Sequence, residues 1–225
     1  MPEPYSLERL LALLPELTVA LGQTLAMLGI GLGAALLLGG PLGILLFVVG
    51  DGQSLQNRAL ARTLGWIVNT LRSFPFIILL VALVPFTRLI AGTSIGPLAA
   101  AVPLSVAAIP YFARLVEQTL REVPRGVIEA AQAMGASELQ IVTRVLLVEA
   151  RSGLVLALTV LAISFLSYSA VAGVVGGGGI GDLAIRYGYY RFETDVMVFT
   201  VALLVLLVQA IQLAGNRLAR RLDKR

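Results

Sequence analysis

Glu129-Ala130-Ala131-Gln132-Ala133-Met134-Gly135 lies in the middle of a polar stretch inside an otherwise apolar chain. From Arg114 to Arg151 there are five Arg and five Glu, whereas the flanking runs 89–113 and 152–181 carry no charge. Uncharged apolar runs of about 18 residues or more read as membrane spans, since about 20 helical residues cross the hydrocarbon core. Two more such runs occupy 17–50 and 196–216, and another, 63–87, is interrupted only by Arg72. The reading is an all-α polytopic membrane helix bundle forming one domain over 1–225. Five transmembrane helices are expected at about 17–48, 64–87, 95–113, 152–173 and 196–216, with the polar loop at about 114–151.

Composition excludes several function classes. With 58% hydrophobic and 13% charged residues and a mean hydropathy of +0.91, the 225-residue chain is too apolar for a soluble domain. The first run, 34 residues long, would measure roughly 51 Å as helix. That is too long for one upright crossing and too short for two, so one tilted helix extending into water is expected, loosened at Gly39-Gly40-Pro41. The start Met-Pro-Glu-Pro lacks the basic segment of a cleavable signal, and none is expected. Cys and His are absent, which removes disulfides, thiolate nucleophiles, His-based metal sites and His-based triads. No catalytic residue, metal site or cofactor is assigned. The single Lys, Lys224, lies in the tail, so no phosphate-binding Walker lysine exists; ATP, if used, is bound by another chain. The pI near 9.8 reflects Arg placement around spans, and nucleic acid is not expected as a partner.

Orientation follows from the excess of Lys and Arg in cytoplasmic segments. Arg58, Arg62, Arg114, Arg121, Arg125, Arg144, Arg151, Arg217, Arg220, Arg221, Lys224 and Arg225 form one alternating set of 12. Arg9, Arg88, Arg186 and Arg191 form the other, of 4. This places the N-terminus outside, the C-terminus inside, and the loop carrying Glu129 in the cytoplasm. Within that loop, Pro124 suits the first turn of a helix, where its missing N–H is no loss. Gly135 suits a left-handed ending, and Ser137 with Gln140 matches a capping box. A helix over roughly 124–134, a break at 135–136 and a new helix from about 138 are expected.

Glu129-Ala130-Ala131, three residues, then Gly135 is similar to the EAA motif of binding-protein-dependent ABC permeases. The family's Ile-x-Leu-Pro continuation reads Val145-Leu146-Leu147-Val148 here, so Val148 replaces the proline. Leu71-Arg72-Ser73-Phe74-Pro75-Phe76-Ile77-Ile78-Leu79-Leu80 and the segment Gly176–Tyr189 resemble the methionine-importer permeases over nearly the whole chain. The resemblance implies a non-catalytic permease subunit in a bacterial inner membrane. It further implies a homodimer beside two ATPase subunits, an extracytoplasmic substrate-binding lipoprotein, and methionine or a related amino acid as cargo. Glu129, Ala130, Ala131, Ala133 and Gly135 are then the coupling-helix residues: small alanines let a helix seat closely on the ATPase, and Glu129 sits favourably in the helix field.

Other features have more than one reading. The glycine run 176–181 is tempting as a phosphate cradle, but no Lys-Ser/Thr follows it, and a flexible or tightly turned outer connection is favoured. Ser167, Tyr168 and Ser169 either line a passage or hydrogen-bond between helices, since hydroxyls facing lipid gain little. Arg72 either snorkels towards the interface, pairs structurally or serves transport. Gly29/Gly33 and Gly39/Gly43 permit close helix approach, within the subunit or across a dimer. An importer for another small solute is the main alternative function. A stand-alone secondary transporter would need intramembrane acids as coupling sites, and the spans contain none.

Two outcomes follow from the sequence. The purified chain alone neither binds nor hydrolyses ATP; turnover retained after all ATPase contaminant is removed would contradict the assignment. A reporter after Arg225 is cytoplasmic and one before Met1 is external, and accessibility labelling that puts both on one side removes a five-span chain.

Overall fold

The computed structural model describes residues 7–53 and 55–223; Met1, Lys224 and Arg225, on which the terminus assignments draw, lie outside them. Every regular element among the described residues is helical. Helix α1 (Leu7–Ala34) passes through a π turn, Ala35–Gly39, into α2 (Gly40–Val48). This loosened turn falls where Gly39-Gly40-Pro41 led us to expect it. A proline ring collides with the carbonyl four residues back and offers that carbonyl no N–H. The neighbouring Gly40 N–H bonds to the oxygen of Ala35, five residues back, and the helix continues through a wider turn.

The run at 63–87 is not one rod. Helix α3 (Arg58–Ser73) stops at Phe74, which is extended with φ −73° and ψ 129°, the conformation favoured before a proline. After Pro75 the chain restarts as α4 (Phe76–Ala82), bent 98° from α3, and then as α5 (Val84–Ala91). Helix α6 (Pro97–Arg121) follows, then the short helices α7 (Arg125–Ala133) and α8 (Glu138–Gln140), a π turn Ile141–Leu146, and α9 (Leu147–Glu149). The chain finishes with α10 (Arg151–Val174), α11 (Gly179–Leu183), a π turn Ala184–Tyr189, and α12 (Thr194–Leu222). Leu11–Val48, α6, α10 and α12 are long and apolar enough to cross a membrane, and a fifth span exists if the bent α3–α4 pair counts as one. Residues 114–121, expected in the polar loop, are instead the last two turns of α6.

The chain divides into two compact units. The first holds the described residues up to Leu32, with Pro75–Val106 and Ala162–Ile211. Its core joins Leu13, Leu17 and Ala20 of α1 to Ile180 and Leu183 of α11 and Val196 of α12. Arg9 ties the start of α1 to that of α12, its Nε donating to the buried Asp195 at 2.9 Å and its Nη2 to Glu193. The glycine run is a tight turn in this unit. Gly176, Gly178 and Gly179 have φ of +86°, +74° and +83°, a region costly for residues with a Cβ. A Cβ on Gly181 would stand 2.4 Å from the Ala170 Cα. The amides a phosphate would need are already used: Gly179 N donates to Gln23 Oε1 at 2.7 Å and Ile180 N to Thr24 Oγ1 at 3.0 Å.

The second unit holds Gly33–Phe74, Ala107–Leu161 and the residues from Gln212. Leu46, Val68 and Ala113 form a buried cluster in it. One of the glycine pairs finds its purpose here. A Cβ on Gly39 would meet the carbonyl oxygen of Ile109 at 2.6 Å, and one on Gly43 that of Ala113 at 2.5 Å, so α2 and α6 touch backbone to backbone. Gly29 and Gly33 have nothing within 4 Å of such an atom. All ten described members of the larger Lys/Arg set fall in this unit, and all four of the smaller set in the other. The tertiary partition thus reproduces the alternation of segments on which the orientation argument rests.

The glycine geometry makes a prediction of opposite signs. Gly43→Ala destabilises by about 1–3 kcal/mol, the range for overpacking against atoms that cannot move, and lowers the thermal midpoint of the purified protein. Gly29→Ala is neutral or stabilising by up to about 1 kcal/mol, because Ala is the better helix former. Equal midpoints for the two variants would show that α2 and α6 are not in backbone contact.

Candidate functional site

The polar loop is built by local rules. Pro124, with φ −59° and ψ 130°, caps α7 from outside instead of entering its first turn, and Arg125 is the first helical residue. The far end is a left-handed stop. Gly135 has φ +78°, Ala136 N bonds to the oxygen of Ala131 at 3.1 Å, and Gly135 N to that of Gln132 at 2.9 Å. These two bonds are the Schellman pattern, which satisfies carbonyls the helix end would leave open. The expected capping box is present: Gln140 N donates to Ser137 Oγ, and Ser137 N to Gln140 Oε1 at 2.8 Å. Without the family's proline at 148, the chain still turns into the next span. The π turn 141–146 widens the helix, and α9 closes at Ala150 one residue before α10 begins.

The geometry divides the candidate coupling residues. Glu129, Ala130, Ala133 and Gly135 are exposed, but Ala131 is 5% exposed and packs into its own subunit. At 100° per residue, three alanines within four positions cannot share a face. Ala131 is therefore part of the loop's support, and the outward surface is completed by residues that the sequence reading did not single out. Val127, Ala130 and Met134 stand at i, i+3 and i+7 on one side of α7, with Met134 82% exposed and Leu139 of α8 72% exposed. Behind this surface a groove of about 130 Å³ is lined by Phe47, Gly52, Arg125, Glu129, Glu138 and Ile141, among others.

The other candidates are dispersed. Ser167 is exposed, Tyr168 is half-buried and Ser169 is buried, so three consecutive hydroxyls do not line one surface. Ser169 Oγ donates to the Leu166 oxygen of its own helix at 2.7 Å. The Tyr168 ring stacks on Phe76, with centroids 4.8 Å apart and planes 7° from parallel, and meets Phe165 edge-on at 5.0 Å. Arg72 lies in the last turn of α3 with its guanidinium 5.5 Å from the Tyr111 ring centroid. Glu117 was passed over in the sequence as one acid among many. It is 4% exposed and bridged by Arg114 at 2.5 Å and Arg121 at 2.8 Å. The spacing Arg114, Glu117, Arg121 was a usable signal, because residues three and four apart are neighbours on a helix.

The comparisons with known proteins agree with these features. The family described as "Binding-protein-dependent transport system inner membrane component" matches residues 31–225. The "Probable D-methionine transport system permease protein MetI" of Vibrio cholerae is 49% identical over 209 residues, 93% of each chain. The "Methionine import system permease protein MetP" of Bacillus subtilis is 41% identical over 181 residues, 80% of this chain and 82% of its own. A solved structure, "Inward facing conformations of the MetNI methionine ABC transporter", superimposes with a TM-score of 0.91 at 48% identity, covering 92% of this chain and 96% of that one. With spans long enough to cross a membrane and a capped helix–glycine–helix loop between α6 and α10, the chain belongs to the family of binding-protein-dependent transport system inner membrane components.

Proposed function

We propose that this chain is the permease subunit of an ATP-driven importer, forming the translocation pathway for methionine or a closely related amino acid. The observation that carries the reading is the match at 48% identity, over 92% of the chain, to the permease fold of a solved methionine ABC transporter. Relatives named for methionine transport in two distant bacteria support the cargo class. Two copies of the chain form the conduit in the bacterial inner membrane, surrounded by lipid, with the N-terminus outside. ATP is bound and hydrolysed by two separate ATPase chains, and an extracytoplasmic lipoprotein delivers the cargo.

In this reading α7 is the element the ATPase grips. Val127, Ala130, Ala133, Met134 and Leu139 offer an apolar seat with little side-chain bulk at its centre. Glu129 stands one turn from the helix start and faces the groove that also holds Arg125 and Glu138. The Schellman turn and the capping box together stiffen the junction between α7 and α8. A push on α7 is therefore transmitted to α6 and α10 instead of being absorbed by the loop. Cargo identity is tested by uptake of labelled methionine into proteoliposomes holding both subunits, with competition by other amino acids. Stronger competition by a different solute class would assign the permease to that solute.

Coupling is tested at Gly135. No atom lies within 4 Å of a Cβ built there, so the whole cost of substitution comes from the left-handed backbone. That cost is roughly 1–2 kcal/mol for an ordinary residue and more for a β-branched one. Gly135→Val inserts normally but co-purifies less ATPase and loses uptake. Gly135→Asn, which tolerates this conformation, keeps most of both. Glu129→Ala is milder than Gly135→Val, as an exposed acid near a helix start is worth under about 1 kcal/mol. Wild-type co-purification and uptake by Gly135→Val would reduce the loop to a mere connection.

A further inference from the structure

Helix α3 carries a polar stripe that its role as a membrane element does not require. Arg58, Arg62, Gly65, Asn69 and Arg72 follow one another at spacings of four, three, four and three, which places them on one face. Leu60 and Ile67, 39% and 41% exposed, occupy the opposite face. The matching stripe of α6 is Tyr111, Arg114, Glu117 and Arg121, and the two stripes meet. Arg72 lies over Tyr111, and Arg114 Nη2 donates to Asn69 Oδ1 at 2.8 Å. Arg114 and Arg121 share the buried Glu117 carboxylate. Against this seam opens a cavity of about 480 Å³, bordered by Asp51, Arg58, Arg62, Arg114, Glu117 and Arg121.

Two properties of the seam point to a solute. The first is length. From Arg58 to Arg72 the stripe extends roughly 21 Å along the helix, starting among the inner-face arginines and reaching Arg72 inside the apolar run 63–87. A polar face that continues from the interface into a span turns towards protein or a water-filled cavity, because intramembrane charges avoid lipid. The second is charge balance. Four guanidiniums face two carboxylates around the cavity, and Glu117 is already bridged. Arg58 has only the exposed Asp51 at 3.5 Å, and Arg62 has no ion pair among the described residues. The surplus is positive, and it surrounds a space large enough for an amino acid.

We propose that the α3–α6 seam walls a water-filled vestibule at the inner end of the conduit, and that Arg62 receives the carboxylate of the amino acid passing through it. The assignment of an amino acid as cargo rests on the function proposed above; the seam itself rests on the geometry of α3 and α6. Because this chain has no cysteine, an introduced cysteine is its sole thiol, and the unsubstituted transporter treated in parallel corrects for thiols of the ATPase subunits. Gly65→Cys is well suited, since its Cβ would lie an ordinary 3.9 Å from Arg114 Nη2.

The assembled transporter, with its ATPase subunits, is reconstituted in proteoliposomes and treated with small methanethiosulfonates bearing a negative sulfonate or a positive trimethylammonium group. Gly65→Cys reacts from the inner face. After correction for intrinsic reactivity, the anionic reagent is favoured by about tenfold, as expected of a focused positive potential. Modification abolishes the uptake that the same variant showed beforehand, whereas Ile67→Cys reacts slowly and keeps its uptake. In unmodified protein, Arg62→Gln lowers amino-acid uptake by roughly three- to tenfold with ATPase co-purification unchanged, and Arg62→Lys restores most of it. An unreactive Gly65→Cys, or one that is modified without losing uptake, overturns the vestibule, the latter by showing α3 lying in the membrane surface. Wild-type uptake by Arg62→Gln overturns the carboxylate contact. Absence of amino-acid uptake in the wild-type transporter removes the proposed function along with the contact, whereas a wild type that transports while the seam variants are silent removes the seam alone.

Discussion

Within the hydrocarbon layer no water is available for an unpaired backbone group, and each one left open costs several kcal/mol. This constraint organises the chain. Its long spans are helices that satisfy themselves, and two of their interruptions are repaired within the chain. At Pro41 the repair is a π turn that keeps the helix continuous. At the glycine turn it is Gln23 and Thr24 of α1, whose side chains take the amides at the start of α11. Among the described residues, the one span interrupted by a sharp bend is that at Phe74-Pro75, where the chain changes direction by 98°. The glycines serve the same end. They bring α2 against α6 at backbone distance, where dispersion replaces the hydrophobic drive that lipid removes.

Against that background the polar loop suits the coupling role proposed for it. Its rigidity comes from helix-end chemistry alone: a left-handed glycine, a capping box and a π turn. None of these requires a large core, so the loop can present nearly all of α7 outwards while holding Ala131 inside. The ion cluster on α6 sits two turns before this loop in sequence. Burying Glu117 without its two arginines would leave an uncompensated charge, a far larger penalty than any exposed pair could offset. The cluster therefore holds the last turns of α6 in a defined arrangement just before α7 begins.

Much of the architecture was legible in the residues. The uncharged runs, the loosening at Gly39-Gly40-Pro41, the left-handed Gly135 and the Ser137–Gln140 capping box depend on local rules, in which a residue type meets a backbone requirement within one helical turn. Less legible were the boundaries. Arg114 and Arg121 looked like loop residues because charge marks the water interface, yet a helix can continue beyond it. Likewise the run 63–87 read as a straight helix because hydropathy is blind to a proline bend.

What the sequence by itself determined is the membrane class, the helical composition, the family and the form of the helix–glycine–helix loop. These are set by composition and by short-range patterns. Only the tertiary structure decided which small residues are contacts inside the subunit: Gly39 and Gly43 pack on α6, while a Cβ on Gly29 or Gly33 would meet nothing of this chain within 4 Å. It also turned Ala131 inward, scattered Ser167, Tyr168 and Ser169 over different surroundings, and joined the stripes of α3 and α6 into one charged seam. The physical reason is the same in each case. Face and partner depend on the rotation of one helix against another some 40 residues away in the chain (Asn69 and Arg114 are 45 apart), and no local pattern encodes that angle.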